Sequence, residues 1–289
     1  MSTAPVWKVK FYGVRGSIPV CHPDYGEFGG NTTCFHLDLL RTPLDEKVTV
    51  IFDAGTGIRQ LGKDIENGVI PKAEYILIQF SHFHWDHIQG FPFFAPAYFE
   101  GQNIVLFSPH YLDESATKLK EIFDLQMQSE YFPVQLNKVG ANVRFHTNAE
   151  QFKQPLNMDV SVDFRYHKHS HPGDAFSYRL DGYGKSVVFC TDLEHGETID
   201  EAVVEFCRDA DLLIHDAQYT DEELKSHRGW GHSSFSQAIE VAERADVKQL
   251  YLTHHDPDHD DAFLRRIEKE CQRRFPNCHF AREGAEVVV

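Results

Sequence analysis

The sequence predicts a mixed α/β or α+β fold in four layers, with two β-sheets packed face to face and helices on both outer surfaces (αββα). Two observations carry this. Strand-length apolar runs alternate with amphipathic helical stretches, and strands also come in blocks, which a purely alternating parallel sheet would not show. The 289 residues suffice for a sizeable core, and residues 1–289 are expected to form one domain, without internal repeats or low-complexity linkers.

Short strands are expected at 6–12, 33–40 and 48–52, separated by turns such as Gly29-Gly30-Asn31. Residues 56–67 read as a helix with Ile58, Leu61 and Ile65 on one face and Gly68 at its end. An apolar run at 75–80 has strand length, 91–107 is rich in Phe, Pro and Tyr, and 112–127 reads as a helix. More strands are expected within 139–162. A second series follows: strands at 175–180 and 187–191, a helix at 199–207, a strand at 212–216 and a helix at 235–245. A strand at 249–253, a helix at 262–275 with an acidic cap and a final strand complete it.

The chain carries 28 basic and 44 acidic residues, a formal charge of −16 with neutral His. The pI is nevertheless about 5.5, because the 18 His protonate near that pH and offset the acid excess. So acidic a surface is not expected to coat itself in long nucleic acid, and a phosphate-bearing substrate would need local positive charge, such as metal ions. No apolar stretch approaches the roughly 20 residues that span a bilayer, and the start lacks a signal-like apolar run, so no membrane role and a cytoplasmic location are expected. The six Cys form no Cys-x-x-Cys pair and are expected to be free thiols.

The densest chemical signal is Ser81-His82-Phe83-His84-Trp85-Asp86-His87, directly after the strand at 75–80. Imidazole and carboxylate together suit Zn²⁺ and similar divalent ions. Phe83, Trp85 and Ile88 beside the cluster favour a loop tied into the core over a solvated His-rich surface.

This stretch resembles the His-x-His-x-Asp-His signature of the metallo-β-lactamase fold superfamily. Phe52-Asp53-Ala54-Gly55, His171-Pro172-Gly173 with Tyr178-Arg179, Thr191-Asp192, His232-Ser233-Ser234 and Thr253-His254 are similar to further elements, in the order of the ribonuclease Z-like branch. The resemblance implies the four-layer αββα sandwich and two metal sites. His82, His84 and His171 would hold one ion, Asp86, His87 and His254 the other, and Asp192 would bridge them. Zn²⁺ is the expected occupant, with Mn²⁺ or Fe²⁺ as alternatives; His84 in place of an acidic residue argues against the flavo-di-iron branch. His169 remains an alternative to His171, and His255 to His254.

Asp86 and His232 are the candidate catalytic residues, His232 as proton donor to a leaving oxygen. Asp53 and His215 are candidates to orient a ligand from behind. Arg15 and Asn31, within stretches similar to a subgroup of ribonuclease Z-like hydrolases, are candidates for binding substrate phosphate. Phe91, Phe93, Phe94, Tyr98, Phe99, Tyr131 and Phe132 are expected to serve mostly as core, with one or two facing substrate. The expected activity is a dinuclear metal-dependent phosphodiesterase acting on a small phosphodiester, a cyclic nucleotide or nucleoside cyclic phosphate above all. The alternatives are tRNA 3′ processing, thioester, lactone or β-lactam hydrolysis, and a non-catalytic metal- or nucleotide-binding regulator. The resemblance also implies a homodimer.

Overall fold

A computed structural model describes residues 6–40, 48–112, 116–149 and 162–289. Thirteen strands among the described residues form two sheets. The first contains β1 (Trp7–Gly13), β2 (Cys34–Leu39), β3 (Val48–Phe52), β4 (Tyr75–Gln79), β5 (Asn103–Phe107), β6 (Asn142–His146) and β13 (Glu286–Val288), in the order β13-β1-β2-β3-β4-β5-β6. The second contains β7 (Val162–His169), β8 (Ala175–Gly182), β9 (Lys185–Cys190), β10 (Leu212–Asp216), β11 (Leu250–Thr253) and β12 (Cys278–Phe280), in the order β12-β11-β10-β9-β8-β7. Each sheet is antiparallel on one side and parallel on the other. β13, β1, β2 and β3 pair antiparallel, then β3 to β6 run parallel. β7, β8 and β9 pair antiparallel, then β9 to β12 run parallel.

Three apolar clusters make these sheets into four layers, as the sequence predicts. The middle one fills the space between the sheets with Phe11, Phe35, Phe52, Phe107, Tyr178 and Phe189. Phe52 and Phe189 stack across it with centroids 3.8 Å apart. The outer face of the first sheet packs on helices Ile58–Glu66 and Ala116–Gln126. The outer face of the second packs on Glu201–Cys207, Phe235–Arg244 and Asp261–Arg274. The parallel strands are buried on both faces, which is why they read as unbroken apolar runs rather than alternating ones.

Local signals set the helix ends. Ile58, Leu61 and Ile65 bury one face of the first helix, which stops before Gly68 at φ 73°. Ser234 caps Phe235–Arg244 while Gln237 reaches back, a reciprocal capping box. Asp260 caps the last helix. β1 starts and ends one residue later than expected and shifts register between Phe11 and Gly13. A Cβ at Gly13 would lie 1.7 Å from Thr32 O, so only Gly permits that approach. Part of the helix expected at 112–127 and of the strands expected at 139–162 lies outside the described residues. β7 and the short helix Asp221–Ser226 are additions. β7 reads Val-Asp-Phe-Arg-Tyr-His-Lys-His, and its polar, partly exposed face disguises it in the sequence. No helix among the described residues is long and apolar enough to cross a membrane. All six Cys are free.

Candidate metal centre

The candidate residues converge at the carboxyl ends of parallel strands from both sheets. Asp53 follows β3, Ser81 and His82 follow β4, Asp192 follows β9, Asp216 ends β10 and His254 follows β11. Three of these ends turn in the left-handed region without Gly: Asp53 at φ 58°, Asp192 at φ 54° and His254 at φ 63°. Asp and His tolerate this region better than most residues, and such strain gathers where side chains must be aimed.

Two groups of donors lie side by side. His82, His84 and His171 have ligand atoms within 4.8 Å of one another, as do Asp86, His87, Asp192 and His254. His171 Nε2 and His84 Nδ1 are 3.1 Å apart, and His87 Nε2 and His254 Nε2 are 3.3 Å apart. Asp192 faces both groups: Oδ1 is 3.1 Å from His254 Nε2 and 3.7 Å from His82 Nε2, and Oδ2 is 3.2 Å from His87 Nε2. Asp86 Oδ2 lies 3.0 Å from His254 Nε2 and 3.2 Å from His87 Nε2, and accepts the Ser17 N–H at 2.8 Å.

Hydrogen bonds behind the imidazoles decide which nitrogen points inward. His87 donates through Nδ1 to Asp53 Oδ2 at 2.8 Å, the orienting role expected for Asp53. Ser81 also donates to Asp53, through both N and Oγ, and its Oγ lies 3.1 Å from His82 Nδ1. His171 donates through Nδ1 to Gly231 O at 2.8 Å, and His254 through Nδ1 to Gln218 Oε1 at 3.0 Å. With Nδ1 so occupied, it is Nε2 that each of these histidines turns to the centre. His82 Nε2 and Asp192 Oδ2 are accordingly buried without a hydrogen-bond partner. Buried lone pairs converging on lone pairs are costly unless a cation lies between them, so these donors fit divalent metal ions.

The electrostatic balance of the site points the same way. Burial opposes charge on His87, yet Asp192, Asp86 and Asp53 outweigh it and hold its pKa well above the ordinary imidazole value. His254 is likewise buried, and Asp192 and Asp86 push it up to about 10. Burial holds His82, His84 and His171 down. Burial would raise Asp86 and Asp192, but the neighbouring histidines draw both well below the usual carboxylate range. The carboxylates therefore call for positive charge, which divalent ions supply in place of protons.

His232 stacks on His254 with centroids 4.7 Å apart and meets His171 edge-on at 5.4 Å, so it touches both groups. Its Nδ1–H donates to Asp216 Oδ2 at 2.8 Å. Asp216 is fully buried and also accepts the N–H groups of Ser233 at 2.9 Å and Asp192 at 3.1 Å. Asp192, Asp216, His232 and His254 form a further possible donor group.

Among the open alternatives, His171 and His254 face the centre. His169 turns its Nε2 to the carbonyls of Thr191 and Asp192, supporting the turn that carries Asp192. His255 donates to Ala281 O, away from the centre. Three expectations need correction. Arg15 is fully buried and cannot reach a substrate; it donates to the carbonyls of Gly29, Asp256 and His259 at 2.7 to 2.9 Å and ties the N-terminal turn to the loop after β11. Asn31 gives its backbone N–H and one side-chain amide N–H to Glu283, whose carboxylate opposes an anion beside it. His215 bonds only the carbonyl of Asp216, at 2.6 Å, and packs on His195; the adjacent Asp216 is the one that orients a site residue. Of the aromatics expected to serve mostly as core, Phe91 and Phe94 are wholly buried, whereas Phe93 and Tyr131 are exposed.

Glu194 has a role that sequence reasoning missed. Its carboxylate accepts the N–H groups of Gly229 and Gly231, each at 2.7 Å, and so clamps the loop whose carbonyl orients His171. Gly229 and Gly231 have φ of 85° and 93°, and a Cβ at Gly231 would lie 2.1 Å from His171 Nδ1. The Gly-Trp-Gly sequence was the available signal.

The model for the beta-lactamase superfamily domain matches residues 48–255. Ribonuclease Z of Enterococcus faecalis is 24% identical, with the match covering 96% of this chain and 95% of that protein. Ribonuclease Z of Prochlorococcus marinus is 33% identical over 109 residues, a segment spanning 37% of this chain and only 33% of that protein. Among solved structures, the metallo-β-lactamase fold protein YhfI from Bacillus subtilis has a TM-score of 0.65 at 18% identity, covering 99% of this chain and 100% of that one. A diphosphatase from the PhnP family has a TM-score of 0.64 at 19% identity, covering 98% and 97%. At these identities the two structures share the fold.

Proposed function

This chain belongs to the beta-lactamase superfamily and is a metal-dependent hydrolase, and from that premise we propose that it cleaves phosphodiesters at a two-metal centre. His82, His84 and His171 would hold one ion and Asp86, His87 and His254 the other, with Asp192 facing both sets. Divalent ions so held would supply an activated water and positive charge to offset that of a phosphoryl group. Zn²⁺ suits this donor set.

The observation that carries the phosphodiester reading is the pair of His232 and Asp216. An alkoxide leaving a phosphate is a poor leaving group and needs a proton. His232 touches both donor groups, and its Nδ1–H is held by a buried carboxylate at 2.8 Å. That bond leaves Nε2 to deliver a proton to the leaving oxygen, while Asp216 stabilises the charged imidazole. Asp86 holds its ion and, through the Ser17 N–H, ties the N-terminal turn to the site.

The net charge of −16 favours a small ester, a cyclic nucleotide or nucleoside cyclic phosphate, over a long polyanion. A second reading, tRNA 3′ processing, is favoured by the near-full-length match to a ribonuclease Z. The test is hydrolysis by metal-analysed protein of bis-p-nitrophenyl phosphate, then of 2′,3′- and 3′,5′-cyclic nucleotides and a 3′-extended tRNA precursor. Metal-dependent turnover of a cyclic nucleotide above the precursor supports the small-substrate reading; the reverse order selects tRNA. Cleavage only of thioesters, lactones or β-lactams overturns the phosphodiester reading.

A further inference from the structure

The chain has three Trp, and two of them are exposed beside the candidate centre. Trp85 is 64% exposed and stands between His84 and Asp86. Trp230 is 61% exposed and precedes Gly231, whose carbonyl receives the His171 Nδ1–H. His84 Nδ1 and His171 Nε2 are 3.1 Å apart, so one indole starts one residue from His84 and the other one residue from the glycine that holds its partner His171. Trp7, by contrast, is buried at the far end of β1.

Neither indole is left exposed by a loose backbone. Trp85 opens the helical turn Trp85–Ile88, whose Asp86 and His87 point inward. Trp230 sits between two glycines held by the Glu194 carboxylate. Its ring meets His227 edge-on at 4.7 Å, His227 stacks on Tyr219 at 4.7 Å, and Tyr219 meets His232 edge-on at 5.9 Å. A row of four rings thus runs from the proton-donating imidazole out to Trp230. Large aromatics held rigidly in water lose little freedom when they stack on a planar ligand, and exposed apolar surface beside a polar site marks a place where a ligand is covered.

We propose that Trp85 and Trp230 flank the organic group of the substrate and stack its planar base, making this a site for nucleoside phosphoesters rather than for phosphoesters at large. The proposal rests on the phosphodiesterase reading. The phosphoryl group takes the donor centre, and the base takes the indoles beside His84 and His171. Stacking on aromatic side chains accepts any base, so base identity is read weakly.

The test pairs thymidine 5′-p-nitrophenyl phosphate with methyl p-nitrophenyl phosphate, esters that share a leaving group and differ in the nucleoside. Trp85→Ala and Trp230→Ala are expected to raise KM for the thymidine ester about ten-fold each while leaving the methyl ester within about two-fold, from the usual strength of base stacking. Trp→Phe at either position should restore most of the loss. Both positions are solvent-facing, so the variants should fold. Binding is read separately by tryptophan fluorescence of the metal-loaded protein. Adenosine 5′-monophosphate should quench it saturably, ribose 5-phosphate should not, and Trp85→Phe with Trp230→Phe, leaving Trp7 alone, should abolish the quench. Equal KM changes on both esters, or no base-dependent quench, would overturn the clamp. A quench lost with the two indoles, in a protein that cleaves neither ester, would support the clamp and overturn the phosphodiesterase reading instead.

Discussion

Asp216→Asn separates the proton-delivery role from metal binding. The carboxylate accepts three buried N–H groups: Oδ2 from His232 and Asp192, Oδ1 from Ser233. An amide has only one accepting oxygen. Turning that oxygen toward His232 and Asp192 preserves two bonds and sets the amide N–H against the Ser233 N–H. The Ser233 N–H and the amide N–H facing it then both lack an acceptor, which costs about 1–3 kcal/mol of stability for each. The fold and bound metal should survive this. Catalysis should suffer more, because His232 loses the anion that stabilises its protonated form. For a phosphodiester with an alkyl leaving group, kcat should drop by about 10²–10⁴, the usual worth of a positioned acid. A p-nitrophenyl ester needs little protonation of its leaving group and should lose less than ten-fold. The assay is kcat for both esters alongside metal analysis and denaturant unfolding. Equal losses on both esters would refute the proton-donor assignment. Loss of metal would instead place Asp216 among the ligands, in the alternative group with Asp192, His232 and His254.

Gly16→Ala would put a Cβ 2.3 Å from His254 Nδ1 and displace that ring; metal affinity, measured by competition with a chromogenic chelator, should fall about 10- to 100-fold, as when other supports behind a ligand are disturbed. Arg15→Met should leave the buried carbonyl of His259 and the part-buried carbonyls of Gly29 and Asp256 without their donor, costing about 1–3 kcal/mol in urea unfolding, with kcat per folded molecule nearly unchanged; a large activity loss at full stability would restore a substrate role to Arg15. His195 accepts the Asp200 N–H through Nδ1, and burial, then the neighbouring His215, pushes its pKa down to about 3. Its folded pKa lies below the unfolded value near 6.5, so it has no effect above pH 6.5 and subtracts stability as pH falls from 6.5 toward 3, at about 1.4 kcal/mol per pH unit across that window. His195→Asn keeps an acceptor and should flatten the acid side of a stability profile relative to wild type in chelator; an unchanged slope would show that His195 is not held neutral.

The candidate donor cluster stands out in the sequence because its chemistry is local: three His and an Asp within six residues, just after a buried strand. The four-layer architecture was legible for a related reason, since the buried parallel strands stand out as apolar runs and the helices carry clean faces. Long-range aim was not legible. Arg15 looks like an anion binder in a glycine-rich turn, but it is fully buried, and two of the three carbonyls it donates to belong to Asp256 and His259, more than 240 residues on. His215 and Asp216 are neighbours on one strand, and strand alternation sends one toward His195 and the other toward His232. The Glu194 clamp involves two backbone N–H groups 35 and 37 residues away, which no side-chain pattern announces. Sequence leaves His169 and His171 both open, and the structure separates them physically: His171 leans on the Gly231 carbonyl, and His169 props the Asp192 turn.

The central claim is that Asp192 joins two sets of donors into one centre that cleaves phosphodiesters. Chelated protein titrated with Zn²⁺, with bound metal and hydrolysis of bis-p-nitrophenyl phosphate followed together in wild type and Asp192→Ala, tests it directly. The account predicts that wild-type turnover rises until about two ions are bound per chain, and that Asp192→Ala binds less metal and loses nearly all turnover. Two bound ions without hydrolysis of any phosphodiester, or Asp192→Ala with full metal content and full turnover, would contradict it.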